Sequence, residues 1–366
     1  MKTRAAVAVA AHQPLEFEQL ELDEPRIDEV RVRLVASGVC HTDAAVRDGV
    51  MPTLLPAVLG HEGAGIVEAV GAGVDSVAPG DHVVLSANSC GRCAQCLSGR
   101  LAYCEDLFGR NFAAQRSDGS RAFTGSEGAV GSNFFGQSSF AHITNVAARS
   151  IVKIDSDVDL TLVAPLGCGM QTGAGAVLNE LRPPPGSSIA VLGTGAVGTA
   201  ALLAARLTGA TTIVAVDVVD SRLELAAELG ATHTLNSRSH DLQTELARIT
   251  NGRGLDYVLD TTGKPSVLRS AVDSLGIRGT AALVGSSPEG TEAHFEIGES
   301  LNKGWTFKTI IQGGSVPQVF IPALIALWKQ GRFPFDTIIH HYPFDDINEA
   351  FADAARGTVI KPVIVY

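Results

Sequence analysis

The sequence predicts an α/β fold in which a doubly wound parallel sheet is set as an insertion within a β-rich domain. Three observations carry this expectation. Up to about residue 150 the apolar positions alternate in short runs cut by Gly and Pro, the punctuation of antiparallel strands. From about residue 170 the runs become continuously apolar and are separated by Ala- and Leu-rich stretches of helical period, as in parallel strands covered on both faces. Beyond about residue 310 the mixed character of the first part returns. A chain of 366 residues also suits two domains better than one ordinary core.

In order along the chain, EVRVRLVASGV (29–39), AGIVEAVG (64–71) and DHVVLS (81–86) read as strands of the first domain. The PPPG turn at 183–186 leads into the first parallel strand, SSIAVLG, after which TTIVAVD, LDYVLDTTG and GTAALVG continue the sheet. Between the first two of these lies the helical run TAALLAARLTGA. Strand and helix in alternation imply a parallel sheet. A helix over PQVFIPALIALWKQG and a strand over VIKPVIVY complete the chain. The expected boundaries are 1–169 and 312–366 for the β-rich domain and 170–311 for the inserted one.

Composition narrows the function classes. Apolar residues make up 45% and charged residues 18%, a globular balance, and Lys plus Arg number 28 against 39 for Asp plus Glu. The resulting charge of −11, with no basic run, excludes nucleic acid and anionic membrane surfaces as expected partners. No apolar stretch approaches the roughly 20 residues of a membrane helix. The opening MKTRAAVAVAAHQPLEF alternates like a strand, so the expected location is cytoplasmic.

GTGAVG, at Gly193, Thr194, Gly195, Ala196, Val197 and Gly198, is weak by itself and specific in context. It follows the strand SSIAVL, opens a helix, and is succeeded by a strand ending in Asp217, 19 residues beyond Gly198. That is the layout of a Rossmann dinucleotide-binding unit. Gly193 permits the tight turn, Gly195 admits the pyrophosphate to the backbone N–H groups, and Gly198 lets helix and strand pack closely. Asp217 accepts the ribose hydroxyls and repels a 2′-phosphate, favouring NAD, a preference that Arg222 softens.

Six cysteines remain to be explained. A cytosolic chain of this length needs no disulfide staples, which leaves metal as the stronger reading. Cys90, Cys93, Cys96 and Cys104 lie on one short stretch, CGRCAQCLSGRLAYC, and can wrap a single ion in a closed, structural zinc site. An iron–sulfur cluster also takes four thiolates but usually with another spacing; a nucleic-acid-binding zinc ribbon lacks the Lys and Arg it would need. Cys40 in ASGVCHTD, His61 in LGHEGAGIV and Cys168 in PLGCGMQTG then match the set of two thiolates and one imidazole of a catalytic zinc with an open position.

With GVCHTD, GHEGAGIVEAVGAGV, CGRCAQCLSGRLAYC, GCGMQTG and GTGAVG in this order, the chain resembles the zinc-dependent medium-chain alcohol dehydrogenases over essentially its full length. Within that family it is most similar to the bacterial aryl-alcohol (benzyl-alcohol) dehydrogenases, on its length, on FGRNF at 108–112 and on YPFDDINEAF at 342–351. The resemblance implies a GroES-like catalytic domain holding two zinc ions, a Rossmann domain holding NAD, and a homodimer or homotetramer. It implies reversible oxidation of primary alcohols, aryl or allylic, to aldehydes.

The same resemblance assigns Cys40, His61 and Cys168 to the catalytic zinc, with Glu62 behind the metal, Thr42 as the hydroxyl that takes the alcohol proton and Asp43 as the carboxylate that orients His61. His41 and Lys361 match pyrophosphate contacts. A histidine common five residues after the first ligand is Ala45 here, which leaves water or Asp48 to finish the proton path. Ser86 stands where several relatives carry a bulky aromatic, and Leu107, Phe108 and Phe112 either line an apolar substrate wall or serve as core. Two other readings predict differently: a glutathione-dependent formaldehyde dehydrogenase needs a cationic pocket, and a non-catalytic zinc-ribbon protein binds zinc without NAD or turnover.

Overall fold

A computed structural model describes residues 1–366, which form two compact units. The first comprises Met1–Cys168, Val316–Ala326 and Asp336–Tyr366; the second comprises Gly169–Ser315 and Leu327–Phe335. Residues 169, 312–315 and 327–335, expected in the β-rich domain, belong to the second unit, where the rings of Trp328, Phe333 and Phe335 cluster. No helix is long and apolar enough to cross a membrane.

The first unit holds two sheets. One runs Ala57–Val58, Lys2–Ala8, Glu16–Leu22, Phe123–Gly125, Gly128–Val130 in spatial order; the other runs Ile151–Ile154, His82–Leu85, Gly63–Val70, Glu29–Gly38, Lys361–Val365, Ile339–Pro343, with Ile143–Ala147 also paired to Glu29–Gly38. Register is what positions the site. Ser37 faces Gly63, Gly38 faces Val363, and Ala64 faces Val84. The turns after Gly38, before Gly63, before Lys361 and after Leu85 therefore gather at one end of this sheet, and a one-residue slip would turn every side chain over.

Packed beside that end is a loop of unusual backbone. Asn133, Phe135 and Ser138 take positive φ values of 61°, 52° and 54°, a region bulky side chains avoid unless their surroundings enforce it. The enforcement is visible. Ser138 Oγ donates to the Val58 carbonyl at 2.7 Å and accepts from Phe134 N at 3.0 Å. Upstream, the buried Arg116 guanidinium forks onto Glu29 at 2.7 and 2.8 Å and onto Asp23 at 2.8 and 2.9 Å. Asn133 donates to the same Glu29 at 3.4 Å.

The second unit is a six-stranded parallel sheet in the order His233–Asn236, Thr212–Asp217, Ser188–Leu192, Leu255–Asp260, Leu275–Leu283, Thr306–Thr309. Its direction of growth reverses between Ser188–Leu192 and Leu255–Asp260, the switch point where such sheets bind nucleotides. Helix Ala196–Thr208 leaves the first strand through the glycine turn and buries Ala200 through Ala205. Thr306–Thr309 is an edge strand.

Replacing Arg116 with Ala leaves Glu29 buried without its guanidinium. The expected loss is about 3 kcal/mol of unfolding free energy, to be read from denaturant titration; an unchanged midpoint would show that the network holds nothing.

Candidate active site and metal centres

Cys40 begins the short helix His41–Arg47, and Asp43, in its first turn, reaches back to the Cys40 N–H at 3.0 Å. The other Asp43 oxygen accepts from the Gly60 N–H at 3.1 Å and from His61 Nδ1 at 2.8 Å. A carboxylate partner makes Nδ1 the protonated nitrogen, so Nε2 presents its lone pair. That Nε2 is buried with no hydrogen-bond partner. One donor atom each from Cys40, His61, Glu62 and Cys168 lies within 4.8 Å of all the others.

The electrostatics of this cluster are those of a donor set suited to a soft dication. A hydrogen bond from Cys168 holds the Cys40 thiol well below its ordinary range against the cost of burial, with His61 adding to the effect. Cys168 is pushed up by the same bond and by burial. Two half-buried, hydrogen-bonded thiols beside the His61 imidazole are the donor types of a zinc site. Behind them, burial pushes the Glu62 carboxyl up to about 7 even though the Lys361 ammonium lies 2.5 Å away. Glu62 fits there because Gly38 has no side chain: a Cβ at Gly38 would stand 2.0 Å from Glu62 Oε2.

The second centre is local. Cys90, Cys93, Cys96 and Cys104 bring their sulfurs within 4.8 Å of one another, and none of the six cysteines is in a disulfide. Backbone N–H groups aim at the sulfurs: Arg92 and Cys93 at Cys90, at 3.5 and 3.3 Å, Cys96 at Cys93, at 3.5 Å, and Cys90 at Cys104, at 3.3 Å. The first two bring the Cys90 thiol down to about 6. Four protein sulfurs are the donor set that would close a structural zinc site without an open position.

In the second unit the glycine turn fits a dinucleotide. A Cβ at Gly198 would lie 1.8 Å from the Gly193 carbonyl, whereas one at Gly195 would meet nothing within 4 Å, the open approach a pyrophosphate needs. Asp217 is held by the Thr194 N–H and hydroxyl at 2.7 and 2.8 Å and by the Val218 and Val219 N–H groups at 2.7 and 3.1 Å.

Comparison with known proteins agrees with this geometry. Residues 26–156 match the alcohol dehydrogenase GroES-like domain, and residues 196–329 match the zinc-binding dehydrogenase domain. The chain is 43% identical to geraniol dehydrogenase of Castellaniella defragrans, across 100% of this chain and 98% of that protein. It belongs to the zinc-dependent alcohol dehydrogenase family. Among solved members of the family, benzyl alcohol dehydrogenase from Acinetobacter calcoaceticus superposes with a TM-score of 0.97 at 46% identity, covering 100% of this chain and 99% of that one. An alcohol dehydrogenase zinc-binding domain protein from Burkholderia ambifaria gives 0.98 at 49% identity, with 100% and 99% covered.

Several expected residues have partners the sequence did not suggest. Lys361, expected at the pyrophosphate, is buried, pairs with Glu62 and donates to the Val39 carbonyl at 3.0 Å. Asp48 is gripped by Arg47 at 2.7 and 3.0 Å, which holds its carboxyl below the usual range and makes it a poor proton acceptor. Ser86 is buried, and its hydroxyl donates to the Gly167 carbonyl at 2.8 Å. Phe108 is 65% exposed and meets Phe112 at 5.3 Å between ring centroids. Thr42 is half-buried, His41 is exposed on the same helix, and Arg222 and Leu107 are half-buried.

The sequence reading missed Phe134 and Phe135. Phe135 stacks on His61 at 4.5 Å with an interplanar angle of 29°, and Phe134 and Phe112 meet the Phe135 ring edge-on at 4.9 and 5.0 Å. The adjacent pair NFFG offered only a weak signal, two aromatic residues before a glycine.

Metal analysis is expected to find two zinc ions per chain, one for each cysteine-containing cluster. Cys40→Ala is expected to keep one ion, lose turnover and hold NAD affinity within about a factor of a few; retention of both ions would remove Cys40 from the ligand set.

Proposed function

We propose that this dehydrogenase interconverts primary aryl or allylic alcohols and their aldehydes, with NAD preferred to NADP. The observation that carries the substrate class is the aromatic cluster against the metal ligand: Phe135 stacked on His61, with Phe134 and Phe112 packed around it. Flat unsaturated groups gain most from such a wall, through ring contacts as well as burial. The similarity to a geraniol dehydrogenase and a benzyl alcohol dehydrogenase supports the same class. The NAD preference rests on Asp217, whose charge opposes a 2′-phosphate.

Cys40, His61 and Cys168 would hold a zinc ion, which would act as a Lewis acid toward a substrate hydroxyl, and Gly193–Gly198 would hold NAD, which would accept the hydride. The rest falls to the protein. Asp43 holds the His61 tautomer and keeps Nε2 free to ligate. The Thr42 hydroxyl takes the substrate proton. Onward transfer goes to water, because residue 45 is an alanine and Asp48 is committed to Arg47. Lys361 neutralises Glu62 and holds its carboxylate beside the ligand cluster. His41, exposed at the start of its helix, is the side chain assigned to a nucleotide phosphate contact.

The reading includes a cytoplasmic location, in keeping with six cysteines none of which is in a disulfide, and a homodimer or a tetramer built from it. Ile277, Ile297, Leu301 and Phe307 are exposed near or on the edge strand Thr306–Thr309, an apolar edge suited to pairing with a second copy. Sedimentation should give at least a dimer, and a monomer at micromolar concentration would remove this part.

A steady-state panel tests the substrate class. Benzylic and allylic alcohols are expected to exceed short aliphatic ones in kcat/KM by about tenfold or more with NAD, with hydroxymethylglutathione left unused; equal rates across the panel would overturn the assignment. Asp217→Asn should move cofactor preference toward NADP.

A further inference from the structure

Asp43 joins two of the three ligand-bearing turns, those of Cys40 and His61. The turn of Cys168 is reached through another buried side chain. Gln137 is fully buried in the loop of positive-φ residues. Its Oε1 accepts from the Gly63 N–H at 3.0 Å, while Nε2 donates to the His61 carbonyl at 2.9 Å and to the Ser86 carbonyl at 3.3 Å. Ser86 in turn donates through its hydroxyl to Gly167, the residue before Cys168. That turn lies so close to the strand end that a Cβ on Gly167 would sit 2.1 Å from the Leu85 carbonyl.

We infer that Gln137, acting through Ser86, is a positioning residue that locks the His61 turn to the Cys168 turn and so sets the geometry of the catalytic metal site. Resting on the zinc-dehydrogenase reading above, the inference adds a residue outside the ligand set. The chemistry requires an amide. Two carbonyls demand a donor and one N–H demands an acceptor, so neither a flipped amide nor a carboxylate satisfies all three groups. The Gln137 backbone is fixed too, since Thr144 Oγ1 donates to its carbonyl at 2.6 Å. The strained loop therefore delivers two groups to His61 at once: Phe135 against its ring and Gln137 against its backbone.

The test uses the full chain with Gln137→Glu, which keeps the shape and removes the donor, Gln137→Leu, and Ser86→Ala. Each is loaded with Co(II), whose ligand-field and thiolate charge-transfer bands report the site's geometry without turnover. Each zinc form is also challenged with a chelator. The Gln137 variants are expected to shift the cobalt bands and lose the labile ion about tenfold faster or more. Their kcat should fall while NAD affinity stays within about twofold. Ser86→Ala should shift the bands in the same direction by less, and adding it to Gln137→Leu should cost less than the two effects summed. Wild-type bands and chelator rates in Gln137→Glu and Ser86→Ala would overturn the inference. If the Gln137 variants do not fold, Ser86→Ala alone decides, because wild-type behaviour there breaks the proposed chain. A wild-type protein that bound only one ion would instead refute the reading on which the inference rests.

Discussion

The structure turns on one buried carboxylate. Asp43 faces three donors, the Cys40 N–H, the Gly60 N–H and His61 Nδ1, and in doing so joins a helix start to a strand turn at the point where both carry proposed metal ligands. A fully buried carboxylate is tolerable only with such compensation. The same contacts select the His61 tautomer that leaves Nε2 for a metal. Around this pivot the packing is sparing of space, with Gly38 yielding its side-chain volume to Glu62 and the Lys361 ammonium set against that carboxylate.

The two cysteine-containing clusters, each able to hold a metal ion, solve the same problem in different ways. Cys90, Cys93, Cys96 and Cys104 come from one short stretch, and the N–H groups of that stretch stabilise the sulfurs, so the loop largely carries its own instructions. Cys40, His61 and Cys168 come from three turns that meet only because the antiparallel register of Glu29–Gly38 with its neighbours brings them to one end of a sheet. A site assembled from distant turns needs cross-links between them. Asp43 supplies one and, on our inference, Gln137 with Ser86 supplies the other. The same loop that carries Gln137 presents Phe135, which ties ligand geometry to substrate surface.

What could be read in advance followed the range of the interaction. The parallel strands and the helix Ala196–Thr208 were legible because continuous apolar runs and helical periodicity are local signals, and the glycine turn because its spacing to Asp217 is a distance along the chain. Lys361 shows the limit. Its motif matches it to a pyrophosphate contact, yet in the fold it is buried against the Glu62 carboxylate and the Val39 carbonyl. Asp48 reads as a free carboxylate beside the site until its neighbour Arg47 folds onto it. Ser86 reads as a small residue that widens a pocket, whereas its hydroxyl is used on the Gly167 carbonyl.

By itself the sequence determined the two-part α/β plan, the nucleotide turn, the self-contained four-cysteine loop and, through the order of its motifs, the family. These depend on neighbours in the chain or on residue types too rare to place otherwise. Only the tertiary structure decided which buried groups answer one another: Glu62 with Lys361, Ser86 with Gly167, Gln137 with the His61 and Ser86 carbonyls, and Phe135 with the His61 ring. Hydrogen bonding and ring stacking act over a few ångströms in space, and nothing in the linear order of residues fixes which distant groups will fall within that reach.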